Sequence, residues 1–132
     1  MTGDVSTRIV EQRIRNRMQD VADMLADGDE QVHRFGFSAY FELFYDWIPH
    51  RDDGIFPDLP TLMEPEKLAL IELSRVVDDA CDDTPNDMSE SDFVATGWPK
   101  RIAIIAQRAL DLMRERGRFD EEVEEAEPSK PF

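Results

Sequence analysis

The chain has 132 residues, with 30 acidic against 15 basic side chains and a net charge of −15. That balance excludes wrapping of nucleic acid, which needs Lys and Arg to replace counterions, and the single cysteine, Cys81, excludes an internal disulfide. The most apolar runs, such as Ile102–Ala106, are far too short to span a bilayer, and no basic-then-apolar segment opens the chain, so the expectation is one cytoplasmic domain.

Residues 1–4 are expected to fray. Val10, Ile14, Met18, Val21 and Leu25 recur at helical spacing and predict a helix from Val5 to Asp27, stopped by Gly28. Its arginines come first and its aspartates last, which opposes the helix dipole, so the apolar stripe must hold it. Arg8, Arg13, Arg15 and Arg17 flank that stripe. Their stems can cover apolar surface while their heads reach the protein's own carboxylates. A short helix from Asp29 to Phe35 follows, interrupted by Gly36.

The stretch FGFSAYFELFYDWIP, residues 35–49, concentrates most of the aromatic rings. Ser38 can cap a helix there and Pro49 stops it. Tyr40, Phe41, Leu43, Phe44, Tyr45, Trp47 and Ile48 spread over an arc of roughly 200° at helical spacing. A surface helix needs a stripe of only about 100°, so this one is predicted to be the central core helix. The edges of its arc, Leu43 with Trp47 or Tyr45 alone, are the candidate contact for a partner.

Residues 49–64 hold three prolines and a glycine and form a loop. Its Ile55, Phe56, Leu59, Leu62 and Met63 should pack back over the core. A further helix runs from Pro65 to Asp82, with Ala69, Leu70, Leu73, Val76, Val77, Ala80 and Cys81 as its stripe. Leu68 and Ile71 lie off that stripe, to be covered by the preceding loop or by a partner. The loop over 83–98 carries one helical turn capped by Ser89. The last main helix spans Trp98 to Arg116, capped by Gly117. It buries Ile102, Ile105, Ala106, Ala109, Leu112 and Met113 and points Ile104 outward among Lys100, Arg108 and Asp111, a candidate contact for a second copy. The remainder is rich in glutamate and proline and predicts a flexible acidic tail over 118–132, after a helical domain over 1–117. The fold expectation is an all-α single domain, four main helices bundled around the aromatic one.

The run Asp78-Asp79-Ala80-Cys81-Asp82-Asp83 carries the most chemistry. Asp78, Asp79 and Asp82 fall on one helical face, an arrangement that can hold magnesium. The string resembles the aspartate-rich box of isoprenoid synthases, whose activity needs a chain about twice as long and a second metal motif. Arg75, three and four residues earlier, can pair with Asp78 and Asp79. Glu30 and His33 match half of a di-iron motif, without its second copy. The Asp52-Asp53-Gly54 sequence fails as a calcium loop, because prolines fall at its first and twelfth positions. There is no glycine-rich phosphate loop and no nucleophile elbow.

The Ile14-Arg15-Asn16-Arg17 and Asp46-Trp47-Ile48-Pro49 segments resemble small uncharacterised bacterial helical proteins, over about residues 1–50, and the resemblance implies no activity. Size and charge fit an immunity protein or antitoxin. The functional expectation is a non-enzymatic protein, without cofactor, whose acids meet a basic protein partner. Its contact residues would be Leu43, Tyr45, Trp47, Asp78, Asp79, Asp82 and Asp83. The alternatives are a small metal-dependent enzyme or metal binder using Asp78, Asp79 and Asp82, and a small-molecule sensor with a cavity beside Phe41 or Phe44.

Overall fold

The computed structural model describes residues 5–131; the fraying expected of residues 1–4 lies outside them. Five helices follow in order: α1 (Thr7–Ala26), α2 (Asp29–Tyr45), α3 (Glu64–Asp82), α4 (Glu90–Ala95) and α5 (Trp98–Arg116). The all-α expectation holds, and the described residues contain no strand beyond one isolated bridge, Arg118 with Lys130.

Local signals set the helix ends. The Ser6 side chain accepts from the Ile9 amide to start α1, and the Ser89 side chain accepts from the Asp92 amide to start α4. Glu66 folds back onto the Met63 amide to start α3, with Pro65 in its first turn. Within α2, Gly36 sits at φ 80° and ψ 161°, a region open essentially to glycine alone, and kinks the helix between its polar and aromatic halves.

The centre of the fold differs from the expectation. The hub is α5, which packs against all four other helices and most broadly against α1 and α3. Its small Ala106 and Ala109, between Ile102, Leu110 and Met113, are fully buried and let neighbouring helices approach closely. The aromatic helix sits to one side, chiefly against α4. It ends at Tyr45, short of the expected stop at Pro49, and Ser38 lies inside it rather than capping it. Its Tyr40, Phe41 and Phe44 are buried, while Leu43 and, in the turn beyond the helix, Trp47 face solvent. Phe93 of α4 completes that cluster. Its ring is fully buried, with centroids 5.5, 5.8 and 5.5 Å from Phe37, Tyr40 and Phe41.

A second difference lies in α1. Val10 is exposed, whereas Gln12, Arg15, Asn16 and Gln19 are buried. This polar row receives the chain's last segment, which is not a free tail. The Asn16 amide donates to the Phe119 carbonyl (2.9 Å) and accepts from the Phe119 amide (3.1 Å). Gln12 donates to the Asp120 and Val123 carbonyls and accepts from the Glu125 amide. Arg8 reaches the Glu125 carbonyl, and Arg17 pairs with Glu121 at 2.6 Å. Phe119 is buried beneath the guanidinium groups of Arg8, Arg15 and Arg116. The segment's acids thus meet the arginines of α1, and its backbone groups find side-chain partners. Only Phe132 of the expected tail lies outside the described residues.

One ion network holds α1, α3 and α5 together. Glu66, with a side chain 2% exposed, pairs with Arg15 (0%) and Arg116 (19%). Arg15 also donates to the Met113 and Gly117 carbonyls at the end of α5. Burial pushes the Arg15 guanidinium below its ordinary value, against the opposing hydrogen bond and charge of Glu66.

Candidate functional site at the acidic end of α3

Four aspartates crowd the last turn of α3, where the helix dipole disfavours negative charge by about 0.3–1 kcal/mol per group. The loop after α2 answers them. His50 and Arg51 lie across the helix end, held by a turn in which the Asp53 and Gly54 amides donate to the His50 carbonyl. Arg51 forks onto Asp79 (3.0 Å) and Asp82 (2.6 Å). Its backbone amide and the Tyr45 hydroxyl both donate to the buried Asp78, at 3.3 and 2.8 Å. His50 Nε2 meets Asp82 Oδ1 at 2.7 Å, and Asp83 accepts from the Trp98 indole at 3.1 Å. All four acids are engaged.

The expected pairing with Arg75 is not seen. Arg75 has no ion-pair partner among the described residues, and Arg51 takes the role from a loop. The Arg51 and His50 hydrogen bonds hold the Asp82 carboxyl below its ordinary value. Removal from water opposes a charge on His50, but the Asp82 hydrogen bond and the charges of Asp78, Asp82 and Asp52 outweigh it and raise the imidazole above 6.5. Burial, reinforced by Asp78, pushes the Tyr45 phenol up. Burial likewise raises the half-buried Cys81 thiol, which makes it a poor nucleophile.

These contacts bear on each chemical alternative. In the neutral ring the Asp52 amide donates to His50 Nδ1 at 3.0 Å and Nε2 carries the proton given to Asp82; in the charged ring Nδ1 faces the Asp52 carboxylate at 3.7 Å and Nε2 still donates to Asp82. Both ring nitrogens are then committed, and neither is left to serve a substrate as base. Asp78 turns inward to Tyr45 while Asp79 and Asp82 turn to Arg51, so the three do not converge on one point. The side chains that converge among the described residues are His50, Asp52 and Asp82, with ligand atoms within 4.8 Å of one another. His33 Nδ1 lies 3.0 Å from Glu90, bridging α2 to α4 at the surface.

Two surfaces adjoin this end. One is the ridge of Leu43 and Trp47, each 37% exposed, beside Glu42 and Asp46, which are exposed and have no ion-pair partner among the described residues. The other is a half-open cleft of about 450 Å³ lined by residues including Pro49, Ile55, Phe56, Ile71, Arg75 and Asp78. Tyr45 is half-buried with its hydroxyl spent on Asp78, so it belongs to the clasp and not to the ridge. Phe41 and Phe44 do not line the cleft; Phe41 packs on Tyr40 and Phe93, and Phe44 on Tyr45. Ile104 of α5 is 60% exposed. His50 and Arg51 were missed as clasp residues; the one signal for them in the sequence was a pair of basic side chains in the loop before a helix that ends in acids. No family model, curated protein or solved structure matches the chain.

Proposed function

We propose that the protein is a non-enzymatic, cytoplasmic binding protein, of the immunity-protein or antitoxin kind or a regulator, that meets a basic protein partner through the end of α2. The observation that carries this is the solvent-facing pair of Leu43, near the end of α2, and Trp47, in the turn that follows, beside the buried Tyr40, Phe41 and Phe44. A tryptophan beside a leucine is the kind of anchor that dominates interface energies. Glu42 and Asp46 flank it with uncompensated charge, which steers a cationic surface toward it. Asp78, Asp79, Asp82 and Asp83 serve the fold first. Their charges are already answered by Arg51, His50, Tyr45 and Trp98, so they contribute less to a partner than their number implies.

Affinity capture from the host, with the wild-type chain and a Leu43→Asp, Trp47→Ala variant, tests the proposal. A partner of net positive charge, retained by the wild type at low salt and lost by the variant, supports it. Capture that the variant leaves unchanged, or recovery of this chain alone, refutes it. The second outcome would turn attention to Ile104 and a homo-oligomer.

A further inference from the structure

We infer that the cleft between residues 49–56 and the outer face of α3 binds a small monocarboxylate with an apolar body. Its volume of about 450 Å³ falls within the roughly 300–1,000 Å³ of small-molecule sites. Pro49, Phe56 and Ile71 supply apolar walls, and Ile55 stands 89% exposed at the rim. Three charged groups line it. Asp78 is 2% exposed, with one oxygen on the Tyr45 hydroxyl and the other on the Arg51 amide. The Arg51 guanidinium is spent on Asp79 and Asp82. That leaves Arg75, exposed and without an ion-pair partner among the described residues, in a chain where acids outnumber bases 30 to 15.

A guanidinium left unanswered beside an apolar hollow matches a carboxylate on an apolar body. The planar fork can take both oxygens, and Ser74, also in the lining, offers a further donor. The surrounding net charge of −15 repels polyanions, which selects a single negative charge. The same Arg75 disfavours a cation. This site is separate from the Leu43–Trp47 ridge and stands whether or not that ridge binds a protein.

Titration of the isotope-labelled full chain with sodium octanoate, followed by amide chemical shifts, tests the inference. Saturable shifts are expected at Gly54, Ile55, Ser74 and Arg75. Octanamide, the neutral counterpart, should bind about tenfold more weakly, equivalent to ~1.4 kcal/mol. Arg75→Gln should bring octanoate down to the octanamide level, and Ile55→Asp should weaken both. Both substituted side chains are exposed, so an otherwise unchanged amide spectrum confirms the fold. Three results each overturn the inference: no saturable shift at millimolar octanoate, shifts centred on other residues, or equal octanoate affinity in wild type and Arg75→Gln.

Discussion

Replacing Glu66 with alanine removes the one carboxylate shared by Arg15 and Arg116. Three donors lose an acceptor: Arg15 Nη2, Arg116 Nη1 and the Met63 amide. Breaking a buried ion pair from one side costs about 3–5 kcal/mol, because the remaining charge stays out of water. Two features pull the expectation to the lower end. Arg15 keeps the Met113 and Gly117 carbonyls, and Arg116 keeps Glu127 and the Thr61 carbonyl. The expected loss is therefore about 3 kcal/mol, equivalent to a melting temperature roughly 10 °C lower for a domain of this size. Urea unfolding should show a reduced midpoint with unchanged slope. Glu66→Gln keeps an acceptor for the Met63 amide but drops the charge, and should recover only a minor part. A loss below about 1 kcal/mol for the alanine variant would refute the reasoning by placing the pair in the surface class. Near-complete rescue by glutamine would show that hydrogen bonding, not charge, holds the three helices.

Phe93→Ala should cost about 3–5 kcal/mol, the range for emptying a buried ring site, measured by the same unfolding curves; a surface-like effect would contradict its place among Phe37, Tyr40 and Phe41. Tyr40→Phe should be neutral or stabilising, since the buried Tyr40 hydroxyl has no hydrogen-bond partner among the described residues; a clear loss of thermal stability would show that it has one. For His50, the folded value is raised above the unfolded 6.5. Its stabilisation is therefore complete below pH 6.5 and fades as pH rises through the raised value. The difference in melting temperature between wild type and His50→Gln should follow that decline, and a difference that grows with pH would reverse the sign. Magnesium or manganese should leave the melting temperature unchanged, because Arg51 and His50 already occupy the aspartates; stabilisation lost in Asp79→Ala, Asp82→Ala would restore the metal reading.

Helices were legible in the sequence where one residue sufficed to mark an end. Pro65, Ser89 and Gly117 each did so, Gly36 marked the kink inside α2, and the stripes on α3 and α5 needed only helical spacing. Features that join distant parts of the chain were not legible. Phe93 stands in a six-residue helix, and nothing in its spacing reveals that its ring fills the gap beside Tyr40 and Phe41. The acidic composition after Gly117 reads as disorder only while its partners are unknown. Those partners, Arg8, Gln12, Arg13, Asn16 and Arg17, lie more than a hundred residues earlier. Arg15 was expected to reach one of the protein's own carboxylates, and it does; that the carboxylate is Glu66 of α3 and that the pair is fully enclosed were not legible. At the site, the acids were visible but their cations were not, since Arg51 and His50 approach from a loop whose path no periodicity encodes.

The clasp between α1 and residues 119–125 has a bearing on how the chain matures during translation. Gln12, Arg15 and Asn16 emerge from the ribosome early, yet their acceptors at Asp120, Gly117 and Phe119 follow more than a hundred residues later. A Cβ at Gly117 would collide with the Lys130 carbonyl, so the turn that brings the segment home admits only glycine there. Until that segment is synthesised the polar row of α1 has only water for a partner, so the domain cannot lock from its N-terminal helix onward.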